Sequence, residues 1–168
     1  MNILSAGIET SATLIGTLVF LLLRDPKRWE RVKADPNLIV TAAEEALRFE
    51  NPVRGLRRYV AQDTVLAGVR IPEHSTVILS FASAMRDESA FEHPDVFSLD
   101  RPDVGKHYGF GKWTHFCLGT TLARLEIRVA LECLTVRLPG LRLAEGEHLQ
   151  KRSPHRIITP LRSLAVVW

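Results

Sequence analysis

The residue with the clearest chemical potential is Cys117, which precedes a long segment of helical periodicity. The backbone N–H groups and the dipole at a helix N-terminus favour a thiolate over a thiol. Gly111 and Gly119 let the backbone pass close to a flat or bulky group. A single thiolate makes a poor zinc site, because zinc takes four ligands, but it is a good axial ligand for haem iron.

The surroundings of the thiol are apolar in sequence, because Phe110 and Phe116 flank the loop. We expect them to keep water away from the sulfur, and an apolar shell with few donors tunes the potential of a bound metal. The alternative is that Cys117 is a free cysteine buried in the core, as we expect for Cys133. Spacing alone leaves both interpretations open.

A second group of chemical residues lies in the apolar segment 3–23, where Ala6 and Gly7 are followed by Glu9 and Thr10. A buried Glu–Thr pair can pass protons to a bound ligand. Equally, the threonine can bond back to a helix carbonyl while the glutamate sits at a packing defect.

Two further motifs are weak when taken singly. Glu45 and Arg48 are three residues apart on a predicted helix and can pair, although such pairs also decorate solvated helix faces. Arg58 stands near the start of a predicted strand, where a guanidinium can clamp a carboxylate or remain a plain surface charge.

The segment 3–23 is long enough to cross a membrane. It lacks the positively charged start and the cleavage site of a signal peptide, and Glu9 would be costly within a bilayer. We therefore expect a helix buried on all sides in a protein, without membrane association, and keep a membrane anchor as the alternative.

The remaining elements follow from punctuation and periodicity. Asp25 and Pro26 have the residue types of a helix start, and Pro139 with Gly140 ends the last helix. Helices are predicted over 26–33, 38–49 and 118–137, a helical turn over 81–85, strands over 57–61, 64–66, 69–71 and 76–79, a coil over 87–109, and short strands and turns over 141–168.

Composition excludes several classes of protein. The chain has 168 residues, of which 46% are hydrophobic and 24% charged, so it can bury a core and is not intrinsically disordered. Two cysteines are too few for a disulfide scaffold. The net charge of +3 is spread along the chain, which gives no indication of nucleic-acid binding.

In their order along the chain, the four motifs are residues 6–10, Glu45 with Arg48, Arg58 and the cysteine loop. Taken together in that order, they resemble the C-terminal part of a soluble bacterial cytochrome P-450. The cysteine-loop signature of that family is Phe-Gly-x-Gly-x-His-x-Cys-x-Gly, and this chain keeps Phe110, Gly111, His115, Cys117 and Gly119. The resemblance implies a mainly α fold with a small β lobe, the truncated C-terminal portion of the P-450 fold. It implies one domain over residues 1–168, with the family's N-terminal half absent.

The resemblance also assigns roles around a haem group. It implies that Cys117 is the axial thiolate on the iron and that His115 and Arg58 contact the haem propionates. Phe110 would shield the sulfur, and Gly111 would allow the close approach of the loop.

On the opposite side of the haem, the resemblance implies that Glu9 and Thr10 deliver protons, while Ala6 and Gly7 leave room for O2 and substrate. The implied reaction inserts one oxygen atom from O2 into a small apolar organic substrate. The residues expected to face that substrate are Ala6, Gly7, Val53, Gly55, Leu56 and either Ile157 or Ile158.

Electrons would come from a ferredoxin-type donor, with Lys112, Arg124 and Arg128 as candidate basic contacts. The expected location is cytoplasmic. The alternative is a non-catalytic haem-binding fragment that is inactive without the N-terminal half.

The chain departs from the signature at Trp113, where the family has glycine. A tryptophan takes up volume and disfavours a positive φ. It would therefore either crowd the haem or lie outward against the porphyrin edge.

Overall fold

The computed structural model describes residues 2–151, 158–159 and 161–168. The helices are α1 (Asn2–Leu23), α2 (Pro26–Ala34), α3 (Leu38–Phe49), α4 (Phe81–Ala84), α5 (Thr120–Arg137) and two short 3-10 turns (Val104–Lys106 and Trp113–His115). The strands are β1 (Gly55–Tyr59), β2 (Thr64–Leu66), β3 (Val69–Ile71), β4 (Thr76–Ser80), β5 (Arg142–Leu143), β6 (Gln150–Lys151), β7 (Leu161–Ser163) and β8 (Val166–Val167). The predicted fold class, mainly α with a small β lobe, is confirmed.

Helix ends follow local chemistry. The Asp25 carboxylate accepts a hydrogen bond from the Lys27 backbone N–H, and Pro26 occupies the first turn of α2. The predicted helix over 38–49 coincides with α3, while α5 begins at Thr120 rather than at residue 118. Residues 118 and 119 belong instead to the end of the preceding loop.

The core forms where α1 crosses α3 and α5. The buried part of α1 is its C-terminal half, which includes Leu14, Leu18 and Leu22. Residues 4–9 of α1 are exposed, so the expectation of a helix buried on all sides is wrong. The reason is that helix packing reaches only the C-terminal half within the described residues. Length and composition alone would allow 4–23 to cross a membrane, and half of that stretch is buried in the protein.

The β lobe consists of antiparallel pairs. In the described part of the chain the pairs are β1 with β4, β2 with β3, β5 with β8 and β6 with β7. The first strand lies two residues earlier than predicted, because Gly55 pairs with Ser80 and Tyr59 with Thr76. An added Cβ at Gly55 would lie 2.6 Å from the Leu79 carbonyl oxygen, so this pairing requires a glycine.

Helix α5 carries apolar residues on two opposite faces. Ile127 and Leu131 are fully buried against the core, as predicted for a core helix. Leu134 and Leu138 of the predicted periodicity also pack against the core. Leu122, Leu125 and Val129 lie about 180° from Ile127 at 100° per residue, on a face that is exposed. Together with Val136 on α5 and Leu118 in the loop just before it, they form an exposed stripe.

Candidate functional site

The coil before the cysteine loop is fixed by a buried ion-pair network. Arg48 donates from Nε and Nη2 to the two carboxylate oxygens of Glu45, both at 2.8 Å, and neither side chain is exposed. Arg101 Nε donates to the same carboxylate at 3.0 Å. The remaining guanidinium donors bond to backbone carbonyls of the coil, including those of Pro94 and Val96. Glu45 and Arg48 are therefore a structural pair, not a solvated one.

The cysteine loop folds back on itself. The Cys117 backbone N–H donates to the Phe110 carbonyl at 2.8 Å, and the Gly111 N–H donates to the Tyr108 carbonyl at 2.8 Å. Gly111 has φ +72°, and an added Cβ would lie 3.0 Å from the His115 carbonyl oxygen. The loop thus requires glycine at 111 for both backbone angle and space.

The loop joins α5 through two polar contacts. Thr120 donates from its hydroxyl to the Cys117 carbonyl at 2.6 Å, and its backbone N–H reaches the same oxygen at 3.4 Å. Cys117 therefore lies just outside the first turn of the helix, with Gly119 as the cap.

The thiol of Cys117 is exposed, and so are most residues around it. Phe116 is 53% exposed, so the expectation that it shields the sulfur is wrong for this chain; Phe110 is half-buried. Cys133 is also exposed, on the outward side of α5, and is not the buried core cysteine that we expected. The physical reason is that α5 turns only its Ile127 face to the core.

The backbone at Trp113 explains the glycine of the family signature. Trp113 has φ +52°, in the left-handed region that glycine enters freely and other residues enter at a cost of about 1–2 kcal/mol. Its side chain is 86% exposed. Trp113 therefore lies outward in this structure, with strain in the backbone rather than crowding inside the loop.

The exposed half of α1 holds the predicted proton-transfer residues. The Thr10 hydroxyl donates to the Ala6 carbonyl, as in the alternative where the threonine bonds back to its own helix. Glu9 is exposed, so the expected buried Glu–Thr pair is wrong for this structure. A Cβ at Gly7 would meet nothing within 4 Å, so packing within the described residues does not require glycine there.

The two residues expected at the haem propionates lie on different elements. His115 is exposed at the end of the 3-10 turn in the cysteine loop. Arg58 is half-buried on β1, opposite Val77, and its Nη1 donates to the Arg57 carbonyl at 2.9 Å.

A second polar cluster, which the sequence did not predict, consists of Glu44, His107 and Arg124. Glu44 accepts two hydrogen bonds from Arg124, each at 2.7 Å, and one contact of 2.9 Å from His107 Nε2. Burial opposes ionisation of Glu44, but these hydrogen bonds and charges outweigh it and lower its pKa to about 2. The partners are 63 and 80 residues away in sequence, so the only local signal was a second glutamate beside Glu45.

This cluster changes the candidate partner contacts. Arg124 is bound by Glu44 on both arms of its guanidinium, so it is less free to meet an acidic partner than its sequence position indicated. Arg128 makes only a 3.8 Å contact with Glu132, and Lys112 lies over the Tyr108 ring at 5.4 Å.

Comparison with known proteins places the chain in a family. The family model described as cytochrome P-450 matches residues 1–138. The chain is 41% identical over 142 residues to the biotin biosynthesis cytochrome P-450 of Bacillus subtilis, covering 84% of this chain and 36% of that protein. It is 39% identical over 166 residues to the steroid C26-monooxygenase of Mycolicibacterium smegmatis, covering 99% of this chain and 41% of that protein.

Solved structures agree. The crystal structure of P-450 BioI with an acyl carrier protein carrying hexadec-9Z-enoic acid superposes with a TM-score of 0.90 at 38% identity. The match covers 97% of this chain and 41% of the P-450 BioI chain. CYP109E1 of Bacillus megaterium in complex with testosterone gives a TM-score of 0.91 at 36% identity, covering 98% and 45%. The chain belongs to the cytochrome P-450 family, and it spans about two fifths of the length of these relatives.

Membership of this family implies a haem group with a cysteine thiolate as its axial ligand, and the residues present fit it. Cys117 presents its sulfur beside exposed apolar side chains, among them Leu118, which is 94% exposed. Within the described ranges, no group of three or more His, Cys, Asp or Glu side chains converges as a metal cage would. A lone thiol on an open apolar surface suits a flat apolar cofactor that brings its own equatorial ligands.

Proposed function

We propose that this chain carries the thiolate side of a haem-thiolate monooxygenase, which inserts one oxygen atom from O2 into a small apolar organic substrate. The observation that carries the proposal is the exposed Cys117 sulfur on a loop fixed by the Phe110 carbonyl. When bound, the haem supplies the oxygen chemistry, helped by an electron-rich thiolate.

In this proposal the loop holds the sulfur rather than reacting itself. The Cys117 N–H to Phe110 bond and the Thr120 contacts keep the thiolate at one position. His115 and Arg58 would supply hydrogen-bond donors to the two haem carboxylates. Arg58 would also supply a positive charge, and its side chain is half-buried whereas His115 is exposed. Gly111, which has no side chain, would allow the loop backbone to approach the haem closely.

Protons are handled by the exposed half of α1. The Thr10 hydroxyl donates a hydrogen bond to the Ala6 carbonyl, so its oxygen keeps lone pairs that can accept a hydrogen bond on the ligand side. Glu9 is exposed to solvent one residue before it. Ala6 and Gly7 leave space beside them, since nothing lies within 4 Å of a Cβ at Gly7.

An apolar substrate is supported by the apolar types of the residues expected near it. Val53 forms a β-bridge with Ile158, which brings two of the expected substrate contacts together. Ile157 lies outside the described residues. One relative is named as a steroid C26-monooxygenase, and steroids are a largely apolar class of molecule, which agrees with this proposal.

For electron supply we propose a ferredoxin-type donor that meets the thiolate face through Lys112 and Arg128. Both side chains are exposed, and neither is held by a bidentate ion pair. The need for a reduced thiol is consistent with a cytoplasmic location, and the relatives named above come from bacteria.

The second candidate is a haem-binding fragment without turnover. It is favoured by the exposed stripe on α5 and the exposed half of α1, which leave much apolar surface uncovered. Such a fragment would bind haem through Cys117 but would not hold substrate.

Haem stoichiometry and the reduced CO-difference spectrum of the 168-residue chain test the proposal. We expect about one haem per chain and a strongly red-shifted Soret band. Cys117→Ser should abolish that band, and the matched Cys133→Ser should keep it, because both cysteines are exposed but only Cys117 lies in the loop. No bound haem, or a band that survives Cys117→Ser, contradicts the proposal. A normal band without product formation favours the second candidate.

A further inference from the structure

We propose that Glu44 is a positioning residue for the Cys117 loop, acting through His107 and Arg124 on Phe110. The inference gains its catalytic meaning from the proposed function above.

Glu44 joins three separate parts of the chain. It lies on α3, contacts His107 in the coil at 2.9 Å and receives both arms of the Arg124 guanidinium from α5. Its side chain is 12% exposed. A charge-assisted, bidentate contact of this kind fixes orientation as well as distance.

The orientation of His107 is also fixed. The Gly109 backbone N–H donates to His107 Nδ1 at 2.9 Å, so Nδ1 is the acceptor and Nε2–H donates the hydrogen bond to Glu44. Gly109 is closely enclosed, since an added Cβ would lie 2.8 Å from Asn51 Nδ2 and 3.1 Å from Leu47 Cβ. The chain entering the cysteine loop therefore has little freedom here.

Both partners of Glu44 then meet Phe110. The Arg124 guanidinium carbon lies 4.8 Å from the centre of the Phe110 ring, and the His107 ring centre lies 6.2 Å from it. Arg124 over an aromatic face is a favourable cation–π geometry. The ring thus contacts two groups that are both bound to the Glu44 carboxylate.

Phe110 passes this restraint to the sulfur-bearing residue, because its carbonyl accepts the Cys117 N–H at 2.8 Å. The buried Glu45 network fixes the coil further upstream but has no contact with Phe110 among its hydrogen bonds. Glu45 therefore orders the coil, whereas Glu44 orders the cysteine loop.

The test measures hydrogen exchange of the Cys117 amide by NMR in the 168-residue chain without haem, with the Val32 amide of α2 as the reference. A charge-assisted hydrogen bond is worth about 1.5–3 kcal/mol, so we expect Glu44→Gln to speed Cys117 exchange at least about tenfold relative to Val32. Arg124→Lys keeps the charge but loses the paired N–H donors that bind Glu44. We therefore expect it to speed Cys117 exchange less than Glu44→Gln does. The double variant Glu44→Gln with Arg124→Met should speed Cys117 exchange little more than either single variant does.

Glu132→Gln is the matched control, because it neutralises a carboxylate that meets Arg128 at only 3.8 Å on the same helix. It should leave Cys117 exchange unchanged. Equal acceleration at Val32 and Cys117, or no acceleration in either Glu44→Gln or Arg124→Met, overturns the proposal. Haem is absent from this test, so its failure is distinguishable from a failure of haem binding.

Discussion

Neutralising Glu45 should unfold much of the ordered coil. The Glu45 carboxylate receives two hydrogen bonds from Arg48, one from Arg101 and one from the Ser98 N–H at 3.1 Å. Glu45→Gln keeps one acceptor oxygen but places an amide N–H2 against guanidinium donors. It also leaves two nearly fully buried cations, with side chains 0% and 5% exposed, without their counter-charge.

The expected magnitude follows from that burial. Removing one partner of a buried ion pair costs about 3–5 kcal/mol. Two cations share this carboxylate, so we expect a loss of about 4 kcal/mol or more in the free energy of unfolding. For a chain of this length, that corresponds to a fall in Tm of roughly 8–16 °C.

Urea titration followed by tryptophan fluorescence measures this loss, because Trp29 is 3% exposed and reports on the core. The control is Glu132→Gln, whose half-exposed pair with Arg128 should contribute less than about 0.5 kcal/mol. A loss below about 1 kcal/mol in Glu45→Gln would refute the reasoning. It would mean that backbone carbonyls alone satisfy the buried guanidinium groups.

Three further outcomes are expected. Trp113→Gly should raise the free energy of unfolding by about 0.5–1 kcal/mol, because strain at φ +52° is relieved and little burial is lost; no gain in a urea titration would contradict this. Gly111→Ala should lower it by about 1–2 kcal/mol in the same assay, since φ is +72° and the Cβ would lie 3.0 Å from the His115 oxygen. The pKa of Glu44 is lowered from 4.5 to about 2, so its stabilisation is present above pH 4.5 and lost as pH falls toward 2. Glu44→Gln should therefore reduce the dependence of Tm on pH between pH 4.5 and 2. The same slope of Tm against pH in wild type and variant would count against the Arg124 contact.

Much of the fold was predictable because its signals are local. The helix start at Asp25 and Pro26, the end of α5 before Pro139 and the short strands β2 and β3 follow from residue types within a few positions. The cysteine loop was found the same way, because a glycine–phenylalanine–cysteine spacing within ten residues carries it.

What failed depends on contacts distant in sequence. The burial of Cys133, Phe116 and Glu9 was predicted from apolar surroundings in sequence, yet each is exposed because no described element packs on its face. The periodicity of α5 predicted a buried helix but did not predict that its leucines lie on two opposite faces. The Glu44 to Arg124 pair spans 80 residues and had no sequence signature.

The divided surface of α5 has a consequence for handling the protein. Ile127 and Leu131 are fully buried, so we expect them to govern the stability of the fold. Leu122 and Val129 are exposed on the opposite side, so we expect them to govern association between folded chains. Colloidal behaviour and thermodynamic stability are therefore governed by different residues of one helix. Polar replacements along the outer side would raise the usable protein concentration while leaving the melting curve almost unchanged.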